Sequence, residues 1–213
     1  MSVASIGSRF DEGAAEWDAN PTRVALARAV VEAVCAAVPL RPDMRVLDFG
    51  AGTGLVSLGV LPFVAEVTAV DASREMLRVL EEKAKALDAG RLDTLQGDVA
   101  EVPLPGGHFD LAVSSMTMHH LPDVPHVLRR LRPALRPGGW IALADLDAED
   151  GSFHADKTGV YHFGFARETL CRWLEACGFA QVSCREAHRF DKLGADGVTR
   201  TYSVFLATGR AAP

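Results

Sequence analysis

Short apolar runs alternate with amphipathic helical stretches along most of this chain, and no other feature constrains the fold as much. MRVLDF (44–49), EVTAVD (66–71), RLDTLQ (91–96), FDLAVSS (109–115) and WIALADL (140–146) have the length and apolar content of strands. Between them, Ser73 is placed to cap a helix carrying Met76, Leu77, Leu80, Ala84 and Leu87 on one side. Asp123 is placed to cap another carrying Val124, Val127, Leu128, Leu131 and Leu135. Upstream, Asn20 followed by Pro21 signals a helix start; Val24, Ala27, Val31, Val34 and Val38 then share a face until Pro39 and Pro42 end the run. Apolar strands joined through helices imply a parallel sheet covered on both faces, hence an α/β fold.

The pattern changes after residue 146. Residues 147–164 have no period and mix charge with aromatics, which reads as a long, functional or mobile loop. A helix follows with Leu170, Cys171, Leu174 and Cys177 inward, a poorly capped start near Ala166 and a stop at Gly178. FAQVSCREA (179–187) and TRTYSVFLATG (199–209) have no helix between them, so they are expected to close the sheet as an antiparallel hairpin.

The 213 residues fit one domain, with 48% hydrophobic residues to fill a core. A formal net charge of −6 disfavours bulk electrostatic binding to nucleic acid or an anionic membrane. Cys35, Cys171, Cys177 and Cys184 show no CxxC pairing; they read as reduced, small apolar core residues of a cytoplasmic protein. The opening MSVASIGSRFDEGAAEWD lacks a basic start followed by an apolar run, so no signal peptide is expected, and no apolar run approaches a bilayer span.

The chemistry concentrates where the first strand ends, in FGAGTG. Ligands of open parallel sheets bind beyond such strand ends, and glycines let backbone N–H groups approach without an intervening Cβ. Leu55 and Val56 follow Gly54, which excludes the Lys-Ser/Thr of a phosphate-binding P-loop. Leu55 also stands where the dinucleotide fingerprint requires a small third residue. Asp48, two positions before Gly50, would repel a pyrophosphate and attract an ammonium group if pointed into the loop. Asp71 ends the second strand roughly 20 residues beyond Gly50, the distance for a carboxylate on ribose hydroxyls. As a lone feature it reads equally as a helix-initiating Asp. Asp98 after the third strand suits an exocyclic amine, or a plain turn.

VLDFGAGTG, VTAVDAS with Met76 and Leu77, GDVAEVP, FDLAVSSMTMHHLPD and LRPGGWIALAD together resemble the successive motifs of class I S-adenosylmethionine-dependent methyltransferases. The resemblance is closest to the small-molecule, ubiquinone/menaquinone methyltransferase-like group. It implies a Rossmann-like three-layer sandwich with a seven-stranded, mostly parallel sheet and an antiparallel C-terminal hairpin. The implied single domain, 1–213, divides into an N-terminal helical cover (1–40), a cofactor-binding core (44–146), a substrate-side loop (147–164) and a C-terminal helix and hairpin (165–213).

By the same resemblance, Asp48 and the backbone of Gly50, Ala51, Gly52, Thr53 and Gly54 would hold the methionine part of S-adenosylmethionine. Asp71 would take the ribose, Ala72 and Met76 would pack near the adenine, Asp98 and Val99 would face its edge, and Ser114 would lie beside the sulfonium. Met76 also belongs to the apolar stripe of its helix. Phe10 and Trp17 would belong to the cover that closes over the cofactor and would help to shape the acceptor pocket.

His119 and His120 are the base candidates for a proton-bearing acceptor; a His pair satisfying backbone groups at a helix entrance is the plainer reading. A metal site built on these and His126 lacks a carboxylate or thiolate partner of suitable spacing, so no metal is expected. His154, Lys157, Tyr161 and His162 are candidate acceptor contacts in a loop that reads equally as solvated. SSMTM replaces the Asn/Asp-Pro-Pro-aromatic motif of nucleic-acid and protein amide N-methyltransferases, which points to a small-molecule acceptor and away from nucleic acid. Monomer and homodimer both remain open, as does a non-catalytic S-adenosylmethionine-binding regulatory module. A nicotinamide-dependent oxidoreductase is disfavoured by Leu55 and Asp48.

Overall fold

The structure, a computed structural model, describes residues 10–194 and 196–212. The first nine residues, which belong to the stretch read as lacking a leader and to the expected 1–40 cover, lie outside the described residues. In chain order the elements are α1 (Pro21–Ala37), β1 (Arg45–Phe49), α2 (Leu55–Val60), β2 (Glu66–Asp71), α3 (Arg74–Ala86) and β3 (Leu92–Gln96). They continue with β4 (Phe109–Ser115), α4 (Val124–Ala134), β5 (Leu135–Leu146), α5 (Arg167–Ala176), β6 (Phe179–Leu193) and β7 (Thr199–Ala211).

The described strands form one seven-stranded sheet in the order β3-β2-β1-β4-β5-β7-β6. β1 to β5 run parallel, and β7 inserts antiparallel between β5 and β6. Chain direction across the sheet reverses between β1 and β4, so the turn leaving β1 opens into a crevice flanked by two strand ends.

Side chains alternate along each central strand, and this builds the layers. Val46, Val67, Leu111, Val113 and Ala144 pack on one face against Leu26, Ala27, Val30 and Val34 of α1 and Val56 and Val60 of α2. Leu47, Phe49, Ala112, Ile141 and Leu143 pack on the other against Val127, Leu128 and Leu131 of α4 and Leu170 and Leu174 of α5. Each fully buried Leu or Val contributes about 1.5–3 kcal/mol over an exposed one.

Local signals were followed closely. Asn20 accepts from the N–H groups of Thr22 and Arg23, Ser73 from Met76 and Asp123 from His126, and α5 starts at Ala166 with no side-chain cap.

Several expectations are corrected by packing. In α1 the buried face is Leu26, Ala27, Val30 and Val34, with Val24 38% exposed; a helix apolar on most sides leaves its orientation to the partner. Leu87 is 67% exposed at the end of α3. Leu135 belongs to β5, which begins directly after α4 and runs five residues ahead of the expected start at Trp140. The hairpin extends past its expected limits because β6 and β7 pair out to Leu193 and Thr199. Cys35 is exposed and the other three cysteines are half-buried, so none is a fully buried core residue. Among the described residues, no helix is long and apolar enough to cross a membrane.

Candidate functional site

The ends of β1, β2 and β4 meet at the glycine loop. Phe49 lies opposite Val70, so the carboxylate of Asp71 at the tip of β2 comes alongside the loop. Its Oδ2 accepts from Gly52 N at 2.7 Å and its Oδ1 from Ser73 N at 2.8 Å. Burial raises the Asp71 pKa above the usual carboxylate range, opposed by the N–H groups of Ser73, Gly52 and Ala72.

The three glycines share positive φ and differ in what surrounds them. A Cβ on Gly50 would stand 2.2 Å from Thr117 Oγ1, and one on Gly54 would stand 2.0 Å from Leu80 Cδ1. The first and last therefore allow close packing on the β4 turn and on α3. A Cβ on Gly52 would meet nothing within 4 Å, so this glycine alone of the three faces open space.

Asp48 is placed differently from the sequence expectation. Its carboxyl is 1% exposed behind the loop, with Oδ2 accepting from Ser57 Oγ of α2 at 2.5 Å. Parity along β1 sends it to the α1–α2 face with Val46 rather than into the crevice. Burial pushes its pKa up to about 7, opposed by the Ser57 hydroxyl and reinforced by Asp71. Ser114 is likewise engaged: its hydroxyl donates to Phe49 O at 2.7 Å, tying β4 to β1 beneath the loop. Ala72 is half-buried beside Asp71, Met76 is 2% exposed, and Val99 sits in the core at 5%. Asp98 Oδ1 accepts from Ala100 N, which makes it the former of its own turn.

After β4 the chain turns sharply. Met116 takes a left-handed φ of 58°, rare for a residue with a Cβ, and Thr117 Oγ1 reaches Gly50 O at 3.3 Å. The 3₁₀ turn Met118–His120 follows. His119 is 1% exposed, and its Nδ1 lies 2.7 Å from Asp145 Oδ1 at the end of β5. His120 Nδ1 lies 2.8 Å from Gly159 O.

The 147–164 segment roofs this turn. Tyr161 N and His162 N donate to His119 O, and His154 brings its ring centroid within 4.9 Å of His119 and 5.9 Å of His120. His154 Nε2 is buried without a hydrogen-bond partner, and burial beside the other imidazoles drops its pKa to about 3. Phe10 stacks edge-on against His120 at 5.3 Å and against Trp17 at 5.8 Å. The structure therefore gathers His119, His120, His154, Phe10 and Trp17. Tyr161 stays 44% exposed, His162 pins Leu121 O through Nε2 at 3.0 Å, and Lys157 lies over the Phe163 ring. His126 is exposed on α4, away from the cluster. Among the described residues no group of three His, Cys, Asp or Glu is arranged to hold a metal ion.

Four residues were missed by sequence reasoning. Asp145 left a signal, an acid inside the apolar run WIALADL. Thr117 left none. Asp11 accepts from Ser73 Oγ and Glu75 N, and Asp18 from Thr53 Oγ1 at 2.6 Å and Lys83 Nζ at 2.7 Å. Both Asp residues come from the stretch before α1 and pin it across the crevice.

Residues 47–143, from β1 into β5, match the family model described as a methyltransferase domain. That stretch is a methyltransferase domain. The chain is 33% identical over 155 residues to the 2-phytyl-1,4-naphtoquinone methyltransferase of Synechococcus elongatus, covering 71% of this chain and 63% of that one. The chain spans between about two-fifths and two-thirds of the length of the curated relatives first matched. The methyltransferase fold is shared with YcgJ of Bacillus subtilis, at a TM-score of 0.72 and 18% identity over 86% of this chain and 98% of that one. Phosphoethanolamine N-methyltransferase 2 of Haemonchus contortus, solved with S-adenosyl-L-methionine, also has a TM-score of 0.72, at 15% identity over 96% of this chain and 60% of that one. Methyltransferases of this class use S-adenosylmethionine, and the crevice passes a test of fit for it: open space at Gly52 beside an Asp71 carboxylate already aligned on the loop.

Proposed function

We propose that this methyltransferase domain transfers a methyl group from S-adenosylmethionine to a small-molecule acceptor. The observation that carries the reading is Gly52, which faces open space while its N–H is held by Asp71. Bound S-adenosylmethionine supplies a sulfonium methyl whose carbon takes the acceptor's electron pair as the C–S pair stays on sulfur. In this reading the Gly50–Gly54 backbone holds the methionine part and Asp71 takes the ribose hydroxyls. Ala72, Met76, Asp98 and Val99 surround the adenine, and Asp48 and Ser114 support the loop from behind. His119 and His120 are the groups available to take a proton from the acceptor. Phe10, Trp17, His154, Tyr161 and His162 would shape the acceptor side and keep water out, and orientation of this kind supplies about 7–11 kcal/mol of barrier lowering. The relative named for a naphthoquinone substrate supports a small acceptor, as does a net charge of −6.

Calorimetry tests the binding: S-adenosylhomocysteine is expected to bind in the micromolar range and Asp71→Ala to weaken it at least tenfold. No heat with either cofactor form would overturn the proposal. A second reading, a cofactor-binding module without catalysis, draws support from the burial of His119 to 1% exposure. Transfer of labelled methyl to any member of a metabolite panel would dismiss it.

A further inference from the structure

His119 and His120 are neighbours in sequence and look equivalent as proton acceptors, but their surroundings are not. His120 turns Nδ1 to a neutral carbonyl, that of Gly159. His119 turns Nδ1 to the carboxylate of Asp145, and the two side chains are 2% and 0% exposed. Asp145 also receives two backbone donors, Leu146 N on Oδ1 at 2.8 Å and His119 N on Oδ2 at 3.2 Å. A carboxylate ringed by N–H groups is an acceptor at both oxygens, so the ring nitrogen that completes the set is the one bearing hydrogen. An asparagine could not replace it, because its NH₂ would face a donor in either orientation. His119 is held from the other side too, where its carbonyl accepts from Tyr161 N and His162 N.

We propose that Asp145 is a positioning residue that fixes His119 as the Nδ1–H tautomer and leaves Nε2 as the atom that takes the acceptor's proton. This deepens the proposed function and rests on it for the role of the proton. Two parallel strand ends make the pair: Ser115 of β4 lies opposite Ala144 of β5, so the turn after one and the last residues of the other converge. The two backbone bonds occupy both oxygens of Asp145 as acceptors, so the hydrogen of the ring contact comes from His119.

The test is the tautomer itself, read by long-range proton–nitrogen correlation on ¹⁵N-labelled protein saturated with S-adenosylhomocysteine, with His119→Gln to assign the ring. The expected wild-type pattern is a protonated Nδ1 and an unprotonated Nε2, with loss of the Nδ1–H signal in Asp145→Asn. A wild-type ring protonated at Nε2 alone overturns the inference, even if the Asn variant fails to fold. So does an unchanged pattern in a folded Asn variant, judged by near-ultraviolet circular dichroism. Affinity for S-adenosylhomocysteine reads the proposed function separately: intact binding with the wrong tautomer sinks only the role of Asp145.

Discussion

Asp48 shows how a residue can be placed at the right strand end from sequence while its direction stays hidden, because strand parity turns it behind the loop. With its pKa raised to about 7 by burial, it is largely protonated at pH 6 in the free protein. An ammonium group bound across the loop favours the ionised form, so binding should expel a proton there. The sign follows: affinity rises as pH climbs toward about 7, where the free protein ionises on its own. Calorimetry of S-adenosylhomocysteine at pH 6 in buffers of different ionisation enthalpy should show proton release, and Asp48→Asn should abolish it. His154, pushed down to about 3, stays neutral over the same range and adds no step to that profile. The glycines give a second expectation. Gly54→Ala drives a Cβ into Leu80 at a φ of 78° and should cost about 1–3 kcal/mol, seen as a lower urea midpoint. Gly52→Ala meets open space and carries only the strain of its φ of 55°, so it should lower that midpoint less than Gly54→Ala while weakening cofactor binding.

The elements differ in how far their roles could be read from sequence. Caps at Asn20, Ser73 and Asp123 were legible because each acts on N–H groups two or three residues away. The face of α1 was not, since Val and Ala surround the helix and the sheet decides what is buried. Nor were the extra residues of β6, whose exposed, polar positions lack the apolar alternation that marks a strand. Long-range polar pairs were the least visible: Asp145 meets His119 across 26 positions and Asp18 meets Thr53 across 35. The stretch before α1 depends on such pairs. Asp18→Ala removes the bonds to both Thr53 and Lys83 and should speed release of S-adenosylhomocysteine in stopped-flow displacement. An unchanged rate would show that those bonds do not hold the crevice closed.

At the scale of the whole molecule, the reversal of strand order between β1 and β4 placed the crevice, and strand–helix alternation announced it. The two segments proposed for the acceptor side, residues 10–20 before that core and 147–164 after it, were legible as segments; their contacts, such as Phe10 on His120 and His154 on His119, were not, because they join opposite ends of the chain. Phe10 leans on His120 while Asp11 and Asp18, a few residues on, grip α3 and the glycine loop. In the proposed reading this short piece of chain borders both the cofactor and the acceptor, so admitting the nucleoside would lift it and open the acceptor side until it settles back. Turnover should therefore follow a compulsory sequence, cofactor first and methylated product out before its partner. Initial-rate kinetics with the acceptor found by label transfer would reveal it through S-adenosylhomocysteine competing with S-adenosylmethionine and never with the acceptor.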